Sequence, residues 1–250
     1  MSLLQVKGLV KRFGGLLATD HLDFEVRPGE LHAIIGPNGA GKTTFINQLS
    51  GELLPSAGQI LLGGVDVTFQ PVHKRAHSGI ARSYQITSVF LEFSVLQNVM
   101  FAVQAGRGHS FSFWTQVASD EALRAPAMLA LDEVGLAEKA GMLVGTLAHG
   151  ARRQLEIAMT LAMKPKLLLL DEPMAGMSHQ ESQEIVEVLK RLKGRYGIVL
   201  IEHDMDAIFA LADRISVMVY GRAIACGTPQ EIRDDAEVRA AYLGDQEELA

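Results

Sequence analysis

Two stretches of this 250-residue chain carry the residue types that chemistry on phosphates needs. The first is Gly36-Pro37-Asn38-Gly39-Ala40-Gly41-Lys42-Thr43-Thr44, which fits the phosphate-loop pattern. Its glycines let successive N–H groups curl around the β- and γ-phosphates of a nucleotide, and a helix starting at Lys42 adds its positive end. Lys42 supplies a point charge to the phosphates, and the Thr43 hydroxyl is placed to ligate Mg²⁺. The competing reading is a glycine-rich turn with an incidental lysine. The second stretch is the apolar run 167–170 followed by Asp171 and Glu172. Alternation along a strand points neighbours to different sides, so the two carboxylates can hold different jobs. Asp171 suits the Mg²⁺ shell, and Glu172 suits polarising a water that attacks the γ-phosphate. Alone, Asp-Glu at a strand end reads as a solvated turn; beside a phosphate loop the catalytic reading gains.

The elements that must hold these residues can be read from pattern. Residues 3–10 and 22–27 read as short strands, and residues 30–35 as a buried strand ending at the glycine loop. Helical spacing resumes over 42–50, which gives the strand–loop–helix order the phosphate loop requires. Residues 59–62 and 79–84 read as further strands. From 89 to about 163 the pattern turns helical, over 95–103, 121–131 and 152–163, with 105–112 as the expected flexible loop. Residues 166–170 and 198–201 are buried strands. Ser178 and Glu181 have capping-box spacing ahead of a helix, and Asp204 is placed to cap residues 205–212. Strands 215–220 and 223–226 pair across Gly221-Arg222, and a last helix starts near Pro229. Buried strands alternating with helices predict an α/β fold: a mostly parallel sheet, covered on both faces, with a helical insertion.

Composition narrows the function. The chain is 48% apolar and 21% charged, enough to bury a sizeable core. A net charge of −6 argues against a nucleic-acid binder built on a broad basic face. The single Cys226 cannot form an internal disulfide, and it reads as a small buried hydrophobe. The opening residues reach Lys7, Lys11 and Arg12 without a long apolar run, so no signal peptide is expected. No stretch approaches the ~18 apolar residues of a membrane span. Met159 and Met163 read as core. Arg152 and Arg153 fit either a phosphate contact or a solvated helix face.

Beyond these stretches, Gln85 follows a strand, Leu147-Ala148-His149-Gly150 opens a helix, and His203 follows another strand. In order and spacing the chain resembles the ATP-binding subunit of ABC transporters over essentially its whole length. That resemblance implies a P-loop NTPase core, an N-terminal antiparallel β subdomain and an inserted helical subdomain within one ATPase domain. The core lobe would span about 1–88 and 156–228, the helical subdomain about 89–155, and a helical tail about 229–250. It implies that ATP and Mg²⁺ are the cofactors and that Phe13 stacks on adenine. Gln85 would sense Mg²⁺ and the attacking water, and His203 would contact the γ-phosphate. Residues 147–151, with Ala148, His149 and Gly150 at their centre, would reach ATP bound to a facing ATPase subunit.

Within the family, Lys11-Arg12-Phe13-Gly14-Gly15-Leu16, the segment 153–158 and the tail over 227–232 and 241–244 look closest to the branched-chain amino-acid uptake subgroup. A lipopolysaccharide-export subgroup shares the tail, and soluble non-transport members are a further alternative. Two membrane permease subunits are implied as partners, docked on 86–99 and the helical insertion. A second, non-identical ATPase subunit and, indirectly, an extracytoplasmic solute-binding protein complete the set, with no nucleic acid. The expected location is the cytoplasmic face of the inner membrane. One departure matters: many members read Ser-Gly-Gly where this chain has Ala148-His149-Gly150, and Ala148 lacks the hydroxyl that would bond phosphate.

Overall fold

A computed structural model of the chain describes residues 2–83, 89–107 and 121–240. The strands are β1 (Leu4–Phe13), β2 (Leu16–Val26), β3 (Leu31–Ile35), β4 (Ala57–Leu62), β5 (Val65–Asp66), β6 (Ile80–Ser83), β7 (Leu167–Asp171), β8 (Gly197–Ile201), β9 (Arg214–Val219) and β10 (Arg222–Gly227). The helices are α1 (Lys42–Ser50), α2 (Val72–Ser78), α3 (Val95–Gly106), α4 (Glu121–Val134), α5 (His149–Ala162), α6 (His179–Leu192), α7 (Met205–Leu211), α8 (Pro229–Asp234) and α9 (Ala236–Val238).

The central sheet runs β10-β9-β3-β8-β7-β6, parallel throughout except for antiparallel β10 at its edge. Every residue of β3, β7 and β8 is buried, as expected of strands covered on both faces. Alternation divides them between two cores. Leu167, Leu169, Val199 and Ile201 face α1 and the second sheet, while Leu168, Leu170, Ile198 and Leu200 face the layer of α3 to α7. The second sheet, order β2-β1-β4-β5, is antiparallel, as the resemblance implied. Helix α5 runs unbroken through residues 155 and 156, packing on α3 and α4 and also on α6.

Several boundaries differ from the sequence reading. β1 and β2 form one long hairpin turning at Gly14-Gly15, because bulges at Gly8 and beyond break the period-2 pattern that marks a strand. Helix α3 continues through Ala105 and Gly106, so the expected loop is helical there; residues 108–112 lie outside the described part. Strand β9 stops at Val219, and Tyr220 turns with φ 48°. Cys226 is exposed, not buried: it lies on edge strand β10, where Arg214 Nη2 donates to its Sγ at 3.2 Å. Met163 sits just past α5 and is 36% exposed, while Met159 packs against the core.

Candidate functional site

The phosphate-loop residues connect the C-terminal end of β3 to α1. Gly36, Gly39 and Gly41 have φ of 152°, 80° and 99°. A Cβ on Gly36 would stand 2.1 Å from the Met218 carbonyl oxygen, and one on Gly41 2.1 Å from that of Ala18. Both glycines are therefore demanded by backbone crowding as well as by conformation. Gly41 caps α1 in the left-handed region without any side-chain cap, leaving the helix end to its amides. Lys42 is buried, and its Nζ donates to the carbonyls of Gly36 at 2.6 Å and Pro37 at 3.0 Å. Burial pushes the Lys42 ammonium down, while the nearby Glu172 and Asp171 charges push it up. Thr43 is exposed, Thr44 half-buried, and Pro37, Asn38 and Ala40 complete the loop.

Asp171 ends β7, buried, and its Oδ2 accepts from Arg82 Nη2 at 3.0 Å. Burial raises its carboxyl and the Arg82 guanidinium opposes that shift. Arg82 also reaches Glu52 and Asn47, so it braces β6 against α1 and β7. Glu172 lies past the strand with φ 48°, and its N–H donates to Ile201 O at 2.9 Å. A left-handed turn, not simple strand alternation, sets it apart from Asp171. Its Oε1 lies 2.8 Å from His203 Nε2, so the two residues expected at the γ-phosphate hold each other.

Glu202 was not singled out by sequence reasoning. Its buried carboxylate accepts from Met174 N at 2.7 Å and His203 N at 3.0 Å, tying the loops after β7 and β8 together. Burial raises this carboxyl. The available signal was a charge closing an otherwise apolar run. Arg75 was missed too. Fully buried, it donates to the Gln48 and Leu49 carbonyls at the C-terminus of α1, where a cation suits the helix dipole. Burial holds its guanidinium at about 10.

Phe13 ends β1, 49% exposed, with Lys11 Nζ 5.2 Å from its ring centre. Ala148 caps α5 without a side-chain bond, and Ala148 and His149 are exposed. The Gly150 N–H donates to Glu181 Oε1 at 3.0 Å, and this bond, with those from Ser178, lowers the Glu181 carboxyl. Gln85 lies outside the described residues. Arg153 is neither a phosphate contact nor solvated. It is buried, paired with Glu156 at 2.5 Å, and donates to the carbonyls of Pro173 and Asp171. Arg152 donates to Gly145 O at 2.9 Å.

A phosphate loop opening α1, an Asp-Glu strand end and a histidine at the next strand end define an ATP-binding cassette. The ABC transporter family profile matches residues 19–175, and a profile for branched-chain amino acid ATP-binding cassette transporters matches 224–248. The chain belongs to the ATP-binding ATPase subunits of the ABC transporter family. It is 39% identical to the high-affinity branched-chain amino acid transport ATP-binding protein LivG of Escherichia coli, across 97% of this chain and 98% of that one. It is 37% identical, with the same coverage, to BraF of Pseudomonas aeruginosa, a protein of the same description. The lipopolysaccharide export ATP-binding protein LptB of Acidithiobacillus ferridurans is 33% identical over 99% of the chain. Among solved structures, the ADP conformation of an ABC transporter cassette superposes with a TM-score of 0.85 at 27% identity, covering 98% of this chain and 99% of that one. Among the described residues no helix is long and apolar enough to cross a membrane.

Proposed function

We propose that this chain hydrolyses ATP to drive import of branched-chain amino acids, or related small amides and acids, through two membrane permease subunits. The observation that carries the reading is the convergence of the phosphate loop, Asp171, Glu172 and His203 at one end of the central sheet. The relatives narrow the cargo: the branched-chain proteins stand at 37% and 39% identity, above 33% for LptB, and the tail profile agrees.

In this mechanism free backbone N–H groups of the loop 36–44, Pro37 having none, and the Lys42 ammonium hold the β- and γ-phosphates while Phe13 stacks on the base. Lys42 exchanges its loop carbonyls for phosphate oxygens. The phosphates' negative charge would be offset by Mg²⁺. Thr43 and Asp171, with Gln85, would hold it, a sparse oxygen set that suits an ion which keeps water and phosphate ligands. Glu172 accepts a proton from the water as the water oxygen bonds the γ-phosphorus and the bond to the bridging β-phosphate oxygen breaks, ADP leaving; His203, already hydrogen-bonded to Glu172, orients that carboxylate and meets the γ-phosphate. Ala148, His149 and Gly150 face the ATP of a second, non-identical ATPase subunit.

The domain division follows the same reading: a core lobe of about 1–88 and 156–228, a helical subdomain of about 89–155 sharing α5 with it, and a tail of about 229–250. The assembly lies on the cytoplasmic face of the inner membrane and is fed by an extracytoplasmic solute-binding protein. Phe90, Leu91 and Phe93 are exposed, and the two phenylalanines stack edge-on with Phe101, whereas Val89 and Val95 turn into the core. This apolar patch is the permease-docking surface. The test is reconstitution with the permeases and binding protein: ATPase activity stimulated by leucine-type solutes is expected, and Phe90→Asp should uncouple transport while sparing basal hydrolysis. Stimulation by no amino acid, or unaltered coupling in Phe90→Asp, would contradict the reading.

A further inference from the structure

We propose that Arg153 is a positioning residue whose buried guanidinium, carried by α5, grips the carbonyls on both sides of Glu172 and fixes the backbone that aims this carboxylate. The proposal rests on the reading of Glu172 as the base. Glu172 has φ 48°, a left-handed conformation that side-chain-bearing residues adopt only when surroundings hold them there. The sheet holds it from one side, through the Glu172 N–H bond to Ile201 O at 2.9 Å. From the other side, Arg153 Nη2 donates to Asp171 O at 3.3 Å and Nε to Pro173 O at 3.2 Å. These carbonyls belong to the residues immediately before and after Glu172, so one planar group spans the strained position.

The guanidinium is itself held. Its Nη1 pairs with Glu156, one turn further along α5, and both side chains are 8% exposed. A fork is required, because a lysine ammonium is a point charge that cannot span two carbonyls and a carboxylate in a fixed plane. Arg153 lies three residues after Gly150, on the first turns of the helix whose start faces the second subunit's ATP in the proposed assembly. A displacement of α5 on that contact therefore reaches Glu172 of its own site directly.

The test uses the full chain purified with its membrane subunits, measuring single-turnover ATP hydrolysis and Mg-ATP affinity. Arg153→Lys should lower the rate by about ten- to a hundredfold, the scale of a misplaced catalytic group, and leave affinity within about twofold. In the Glu172→Gln background the same change should cost nothing further, since Arg153 acts through Glu172. The paired variant Arg153→Met/Glu156→Leu removes the fork without stranding a buried carboxylate, and it should show the same loss. A wild-type rate in both Arg153 variants, with slow Glu172→Gln, would refute the role of Arg153 alone. An equal fold-loss on top of Glu172→Gln would also refute it, as a general structural effect. A wild-type rate in Glu172→Gln would refute the base assignment first, and this role with it.

Discussion

The two ends of the central sheet hold the same kinds of side chain and treat them oppositely. At the N-terminal ends of the parallel strands, polar groups are consumed by the fold. Asp213 accepts from Leu31 N at 2.9 Å and pairs with Lys193 at 2.8 Å, and Glu30 accepts from Arg27 N. His32 is buried, with Nδ1 donating to Glu25 O at 2.8 Å and Nε2 therefore free to accept from the Ser216 hydroxyl at 2.8 Å. At the C-terminal ends, Lys42 bonds carbonyls of its own loop, while the Glu172 and His203 side chains bond each other at 2.8 Å. Glu172 also holds a left-handed φ of 48° there. Ligands of open α/β sheets bind at this end. A histidine or carboxylate is available for chemistry only where the fold has left its partners exchangeable.

Substitutions at the two ends should therefore fail in different ways. The largest effect is expected at Glu172→Gln, which keeps the shape but cannot take a proton. Turnover should fall about 10²–10⁴-fold while ATP still binds, measured by single-turnover hydrolysis beside nucleotide affinity. A smaller change, of opposite sign, is expected at Ala148→Ser in the assembled transporter. The restored hydroxyl offers a bond to a charged group worth roughly 1.5–3 kcal/mol, so ATP-driven closure should strengthen by about ten- to a hundredfold. No gain in closure or hydrolysis would mean that the hydroxyl is not missed.

At the other end the readout is stability. Burial pushes His32 from 6.5 down to about 4, so the folded chain keeps it neutral where the unfolded chain protonates it. Its stabilisation is complete above about pH 6.5 and is lost as pH falls toward 4. By pH 5 that loss is about 2 kcal/mol. Denaturant melts at pH 7 and pH 5 should show it in the wild type and not in His32→Asn, with Mg-ATP affinity at pH 7 little changed. An equal pH loss in the variant would place the acid sensitivity elsewhere.

The sequence showed what is local. The phosphate loop, the strand ending in Asp171-Glu172 and the helix opening at Gly150 each lie within one short segment, where spacing alone states geometry. Arg153, Glu202 and Arg75 escaped because their partners lie 18–20, 28 and 26–27 residues away, and composition gives no hint of such pairings. Arg153 illustrates the cost, since a side chain that fits either a phosphate contact or a solvated helix face instead donates to the Asp171 and Pro173 carbonyls. The β1–β2 hairpin was obscured for a different reason. Its bulges shift the inward-facing residues out of phase, and no periodic reading survives that.

Residues 36–44 are expected to bind Mg-ATP and to present its γ-phosphate to Glu172. Titrating a fluorescent ATP analogue into wild-type and Lys42→Ala protein, with Mg²⁺ present, tests this most directly. Lys42 stands buried between the loop carbonyls and the Asp171–Glu172 charges, so its loss should abolish measurable nucleotide binding or turnover. Unchanged Mg-ATP affinity and hydrolysis in Lys42→Ala would contradict this assignment.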